Sequence, residues 1–241
     1  MPFSPYRTLF SGGASCFAFA LLAGLSILPR PTVLGAESAA MAQEEINLKA
    51  SRVFIFVGKV GLGHEHAVVG RLKSGSVRLG ARSQAGQMVF DMRSFVADTA
   101  EARKYLHLEG ETPASRQKEV TANMVGADVL DVRRHPTATF KIDAALPLKY
   151  PSKAGHPMYR LQGEFTLHGV KRPLKFDTEA IEKESGVHIR GAFDIRQTDY
   201  GIEPYSKAFG AVGVTDELTI YGEIHLGQPR VAAGRRGGQE P

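Results

Sequence analysis

The chain of 241 residues has no tryptophan and a single cysteine, Cys16. One thiol cannot close an internal disulfide, and it excludes both a CxxC redox pair and a cysteine-based zinc site. No block of like charge is present: 30 Lys and Arg against 25 Asp and Glu leave +5 spread along the sequence. That is slight support for an anionic partner and none for nucleic-acid recognition. No apolar run reaches the ~20 residues that a membrane-spanning helix needs. With 43% hydrophobic and 23% charged residues, the composition excludes a disordered, collagen-like or coiled-coil chain.

The longest apolar run is at the N-terminus. Cys16 to Leu28 is uncharged, thirteen residues long and preceded by Arg7, the layout of a secretory signal peptide. Small-residue cleavage sites follow at Ser38-Ala39-Ala40 and Ala40-Met41-Ala42. We expect residues 1–42 to be removed and the mature chain to begin at Gln43, in a periplasmic or secreted location; an uncleaved anchor is the alternative. Cys16 opens the apolar run instead of closing it, which does not fit a lipoprotein. Cleavage also removes the only thiol. The tail from Gly227 is rich in Gly, Pro and Arg, and 227–241 is expected to be disordered.

Between residues 51 and 226 the dominant signal is apolar–polar alternation with period two, broken by Gly, Pro, Asp and Ser turns. From Tyr159 to His168, the residues Tyr159, Leu161, Gly163, Phe165 and Leu167 share one face of an extended strand. Similar runs at 51–57, 68–79, 86–92, 136–146, 157–168, 172–182, 186–196 and 217–226 predict eight strands, enough to close an antiparallel all-β barrel. Asp98 to Leu106 carries an Asp cap before good helix formers, and Pro113 to Leu130 spaces Val120, Met124 and Val125 in a helical manner. Both belong to a short helical insertion between strands 3 and 4, expected to lie across the barrel.

A barrel of this size is either filled or holds one apolar ligand. Gly163, Gly191 and Gly222 fall at inward positions and would leave space there; bulges or tight coiling of the strands are the alternative use of these glycines. Phe140, Leu161, Phe165, Leu167, Phe193 and Ile220 are the candidate lining beside Gly163 and Gly191.

No catalytic constellation is found. Gly61 to His66 matches neither a dinucleotide fingerprint nor a P-loop, Ser115 to Lys118 has the SxxK spacing without its partner motifs, and no GxSxG is present. His64 and His66, at i, i+2, point to one side of an extended segment and could form half of a metal site. His168, His107 and His135 are the further donors visible in sequence, with His168 the preferred third ligand. Backbone-bonded histidines lining a turn are the simpler alternative. The segment Arg196 to Val214 alternates rings with charges before the last strand, a usual place for a mouth. Arg196 and Lys207 could meet an anionic head group there, and Tyr200, Tyr205 and Phe209 an apolar tail.

His135-Pro136-Thr137-Ala138-Thr139-Phe140, Leu161 to Val170 (LQGEFTLHGV) followed by Lys171-Arg172-Pro173, and Asp199-Tyr200-Gly201-Ile202 resemble the YceI-like family of polyisoprenoid-binding, lipocalin-like proteins. The resemblance covers residues 46 to 226. It implies an extracytoplasmic eight-stranded barrel whose channel holds a long isoprenoid, such as a prenyl quinone or polyprenyl phosphate. It implies no catalysis, no cofactor other than the bound lipid, no nucleic-acid partner, and transient membrane contact. It specifies no oligomeric state. The competing class is a metal-binding or redox-associated protein using His64, His66 and His168; a lipid-acting hydrolase or isomerase comes last.

Overall fold

The computed structural model describes residues 43–207, 209 and 211–227. The expected signal peptide and nearly all of the C-terminal tail lie outside these residues. No helix among them is long and apolar enough to cross a membrane.

Eight long strands follow the alternation: β2 (Arg52–Gly61), β3 (His66–Val77), β4 (Gly86–Ala97), β5 (Thr137–Pro147), β6 (Met158–Leu167), β7 (Val170–Lys183), β8 (Gly186–Arg196) and β10 (Val212–Leu226). Each pairs antiparallel with its neighbours in the order β3-β2-β10-β8-β7-β6-β5-β4, and β4 returns to β3, so the sheet closes without an exposed edge. Two short strands, β1 (Glu44–Glu45) and β9 (Ser206–Lys207), flank it on β3 and β10. Breaks of register occur in β3–β4, in β5–β6 between Ile142 and Ala144, and in β10–β2 between Val214 and Leu218. Such bulges bend strands into a closed wall.

The two expected helices form between β4 and β5, as α1 (Ala100–Tyr105) and α2 (Ala114–Val125). Their placement differs from expectation. Thr99, not Asp98, caps α1, its hydroxyl accepting from the Ala102 amide at 3.1 Å. Asp98 has φ 54°, which turns its carboxylate away from the helix and back onto β3. The outer wall also carries apolar residues: Phe54, Ala67, Val69 and Tyr221 cluster with α1. Tyr105 stacks on Phe54 with ring centroids 3.8 Å apart. Thus α1 packs on the outside of the barrel, while α2 alone covers its end, with Val120 and Met124 turned inward.

The interior is uneven along the axis. At one end the segment 78–85 folds against β5, with Gly80 N–H donating to Ala145 O at 2.8 Å and Ala145 N–H to Ala81 O at 2.9 Å. Val77, Leu79, Ile142, Ala145 and Leu226 are all buried there. Toward α2 the interior is hollow.

Candidate functional site

The hollow end is a chamber with room for the centres of water-sized molecules over about 200 Å³. A single water needs roughly 10–15 Å³ on this measure, so the chamber far exceeds a packing defect. All eight long strands contribute side chains to its wall, and Val120, Asn123 and Met124 of α2 close over it. Aromatic rings form a belt. Phe176 lies 4.7 Å from Phe193 and 5.7 Å from Phe140, and Phe165 meets Phe193 edge-on at 6.1 Å. Among the described residues, the polar ones on the wall are His66, Asn123, Thr178, Gln197 and Tyr205.

Of the expected lining, Phe140, Leu161, Phe165, Leu167, Gly191, Phe193 and Ile220 face the chamber. Gly163 does not. A Cβ there would sit 2.0 Å from the Lys141 carbonyl oxygen and 3.0 Å from the Asp143 amide nitrogen, so this glycine admits the close approach of β5 at its bulge instead of leaving cavity space. At Gly222 a Cβ would meet Ile224 at an ordinary 3.6 Å and open chamber beyond. Gly191 is intermediate, with Thr178 Cβ at 3.0 Å.

The expected mouth divides. Tyr205 lines the chamber, and its hydroxyl accepts from Asn123 Nδ2 at 3.3 Å, tying the loop to α2. Lys207 is exposed, its ammonium 5.5 Å from the Tyr205 ring centroid and 4.0 Å from Glu119. Arg196 and Phe209 are exposed and outside the wall. Tyr200 is buried behind it, edge-on to Phe165 at 5.7 Å, and burial pushes its phenol up. It is a core residue, because the helical turn Thr198–Tyr200 folds its ring inward.

The histidines group differently from expectation. His66 Nδ1 is 2.7 Å from Asp98 Oδ2, and the rings of His64 and His66 are 4.4 Å apart. His168 instead pairs with His135 at 4.4 Å and lies 3.3 Å from Tyr200 O through Nδ1. The third group beside the two histidines is therefore Asp98. The possible ligand atoms of His64, His66 and Asp98 lie within 4.8 Å of one another. Burial, then the neighbouring imidazole, pushes His64 below the ordinary histidine range. Asp98 is fully buried and also accepts from Ala67 N–H at 3.0 Å and Arg103 Nη1 at 3.5 Å. Burial pushes its carboxyl up, but the hydrogen bonds from His66 and Ala67, with the His66 and Arg103 charges, outweigh that and hold it below the usual range. With Arg103 already on the carboxylate, a cation would have to displace or repel a guanidinium.

A single-chain antiparallel barrel, filled at one end and hollow at the other under a helical cover, defines the architecture. The YceI-like domain matches residues 45–226, and the chain belongs to that family. A polyisoprenoid binding domain from Saccharophagus degradans shares the fold at TM-score 0.51 and 11% identity, covering 78% of this chain and 99% of that one. BcnA of Burkholderia cenocepacia aligns at TM-score 0.48 and 17% identity over 74% and 98%. The Campylobacter jejuni YCEI protein aligns at 0.41 and 13% over 66% and 84%. No curated protein sequence matches the chain.

Proposed function

We propose that this protein is an extracytoplasmic carrier that holds the tail of a long-chain isoprenoid lipid in the chamber under α2. The observation that carries the reading is the chamber itself, walled by aromatic and aliphatic residues from every long strand. Burying ~20 methylene-sized groups at ~0.8 kcal/mol each contributes about 16 kcal/mol gross, before association and ordering costs. The apolar wall thus dominates affinity. A polyisoprenoid binding domain with the same fold supports the choice of lipid, and the short N-terminal apolar run supports export by a cleaved signal peptide. The role is binding without catalysis, and it needs no cofactor besides the lipid. Mass spectrometry of an organic extract from protein purified without detergent tests this. An isoprenoid near one per chain is expected; a folded protein whose extract holds only ordinary phospholipid would overturn it.

A further inference from the structure

The rim of the hollow end carries a second inference, whose use, though not its evidence, rests on the carrier reading. Of the large apolar side chains exposed among the described residues, Leu48 and Tyr150 lie toward the filled end, whereas Val60, Leu62, Phe209 and Val212 gather at two neighbouring turns of the hollow end. One turn leads from β2 to β3, and the other joins β9 to β10. They are fastened together: Val212 is in register with Gly61, Leu62 N–H donates to Ala211 O at 3.0 Å, and a Cβ on Gly61 would sit 2.2 Å from that same oxygen. That approach, at φ 63°, requires the glycine. Leu62 is 88% exposed and Phe209 wholly so. Phe209 has φ 54°, which a bulky side chain adopts only at a cost, and its ring packs against nothing among the described residues. Single apolar residues on a surface are ordinary, but a cluster at the tip of a barrel marks a contact.

The chemistry of the tip narrows what it contacts. Residues 58–64 (GKVGLGH) and 206–213 (SKAFGAVG) each hold one lysine, Lys59 and Lys207, and no carboxylate. Both lysines are exposed; Glu65 borders the first turn, and Glu119 stands 4.0 Å from the Lys207 ammonium. Apolar tips flanked by cations suit the boundary between acyl chains and head groups in an anionic bilayer. A phenylalanine brings only about 150–250 Å² and the two valines are more than half covered, so the patch falls short of the roughly 800 Å² per partner of a stable protein interface. It is also continuous with the chamber: Val214, on the wall, is two residues along β10 from Val212 and so faces the same side.

We infer that the paired turns carrying Leu62 and Phe209 are a membrane-docking tip, which seats the hollow end of the barrel on an anionic bilayer. The apolar side chains enter the acyl boundary, and Lys59 and Lys207 meet lipid phosphates. Two large side chains make the docking shallow and reversible. It brings the rim of the chamber to the surface from which an isoprenoid tail leaves the bilayer.

The chain lacks tryptophan, so Leu62→Trp supplies a single local fluorophore. The test uses residues 43–241, which retain every strand of the closed barrel, and vesicles of phosphatidylcholine alone or mixed with phosphatidylglycerol, both free of isoprenoid. Emission from Leu62→Trp should shift to the blue on the mixed vesicles and be quenched by bromines placed high on the acyl chain; Leu48→Trp, at the filled end, should do neither. In flotation, Leu62→Ser combined with Phe209→Asn should lower vesicle partitioning about tenfold or more, asparagine being at ease at φ 54°. Lys59→Gln combined with Lys207→Gln should lower partitioning on the mixed vesicles about five- to tenfold and leave that on the neutral ones nearly unchanged. Both double variants should keep the parent's far-UV dichroism, and an isoprenoid affinity in solution within about twofold of the parent's, because none of the four residues is on the chamber wall. A Leu62→Trp emission that does not move, a parent that does not float, or partitioning that survives the loss of Leu62 and Phe209 would overturn the inference. So would a dimer of the parent that the same double variant dissolves, which would give the patch to a second copy. The carrier reading is tested apart from all of these, by the isoprenoid in the organic extract.

Discussion

The two ends of the barrel are built from the same alternation yet differ in what fills them. At the 78–85 end, a loop supplies Leu79, Ala81 and Ala85 to the interior, and Ile142, Ala145 and Leu226 close against them. At the α2 end, Phe140, Phe176 and Phe193 stand around open space. The closed end holds the wall together, so the open end is free to keep a volume that packing alone would eliminate. Stability and binding are thereby separated along one axis.

The largest test of this separation is a pair of glycines. Gly163→Phe drives a side chain into the backbone of β5, 2.0 Å from the Cβ position, and should cost several kcal/mol, enough to lose the folded barrel. Gly222→Phe points its ring into the chamber and should leave far-UV dichroism unchanged while lowering lipid content several-fold. Loss of fold in the second variant, or its absence in the first, breaks the comparison.

Next come two truncations. Ile142→Ala, at 1% exposure in the filled end, should destabilise by about 2–5 kcal/mol in denaturant titration. Phe193→Ala, at the chamber wall, loses contacts on fewer sides; about 1–2 kcal/mol is expected. Its main effect should be on lipid affinity, about tenfold.

Acid provides a smaller effect. Asp98 has a carboxyl lowered in the folded state, so its stabilisation is complete above the unfolded carboxylate value of ~3.9 and is lost as pH falls through the lower folded value. Asp98→Asn should therefore be less stable than the parent at neutral pH, and the gap should narrow below about pH 4. Dichroism-monitored unfolding across that range checks it; a gap independent of pH would remove the carboxylate's role.

The smallest contrast is at the mouth. Tyr205→Ala removes a wall residue and its bond to Asn123, and should weaken isoprenoid binding about three- to tenfold. Lys207→Ala and Phe209→Ala, both outside the wall, should change it less than about twofold at low or high salt. A strong, salt-dependent effect at Lys207 would move the head group to the loop.

Period-two alternation made all eight long strands legible in the sequence, because a wall that is dry inside and wet outside imposes that period directly. Ends were less legible: β4 runs on to Ala97 and β10 begins at Val212, where the rim relaxes the inward–outward contrast. Val120 and Met124 were visible as a helical spacing, and they cover the chamber. Gly163 was misread because absence of a side chain looks the same in sequence whether it leaves volume or admits a neighbouring backbone. Asp98 read as a helix cap because its positive φ, which redirects it to His66, has no sequence signal when the next residue, Thr99, caps equally well. In the 196–214 loop, spacing gave five candidates of similar chemistry, and a turn that buries Tyr200 leaves only Tyr205 on the wall.

The most direct test of the hollow end as the binding site is photo-crosslinking with an isoprenoid carrying a diazirine near the tail terminus, followed by peptide mapping. Labels on β6, β8 or α2, at residues such as Leu161, Phe193 and Met124, are predicted. Labels confined to the outer α1 face around Phe54 and Tyr221, with the chamber residues unmodified, would contradict it.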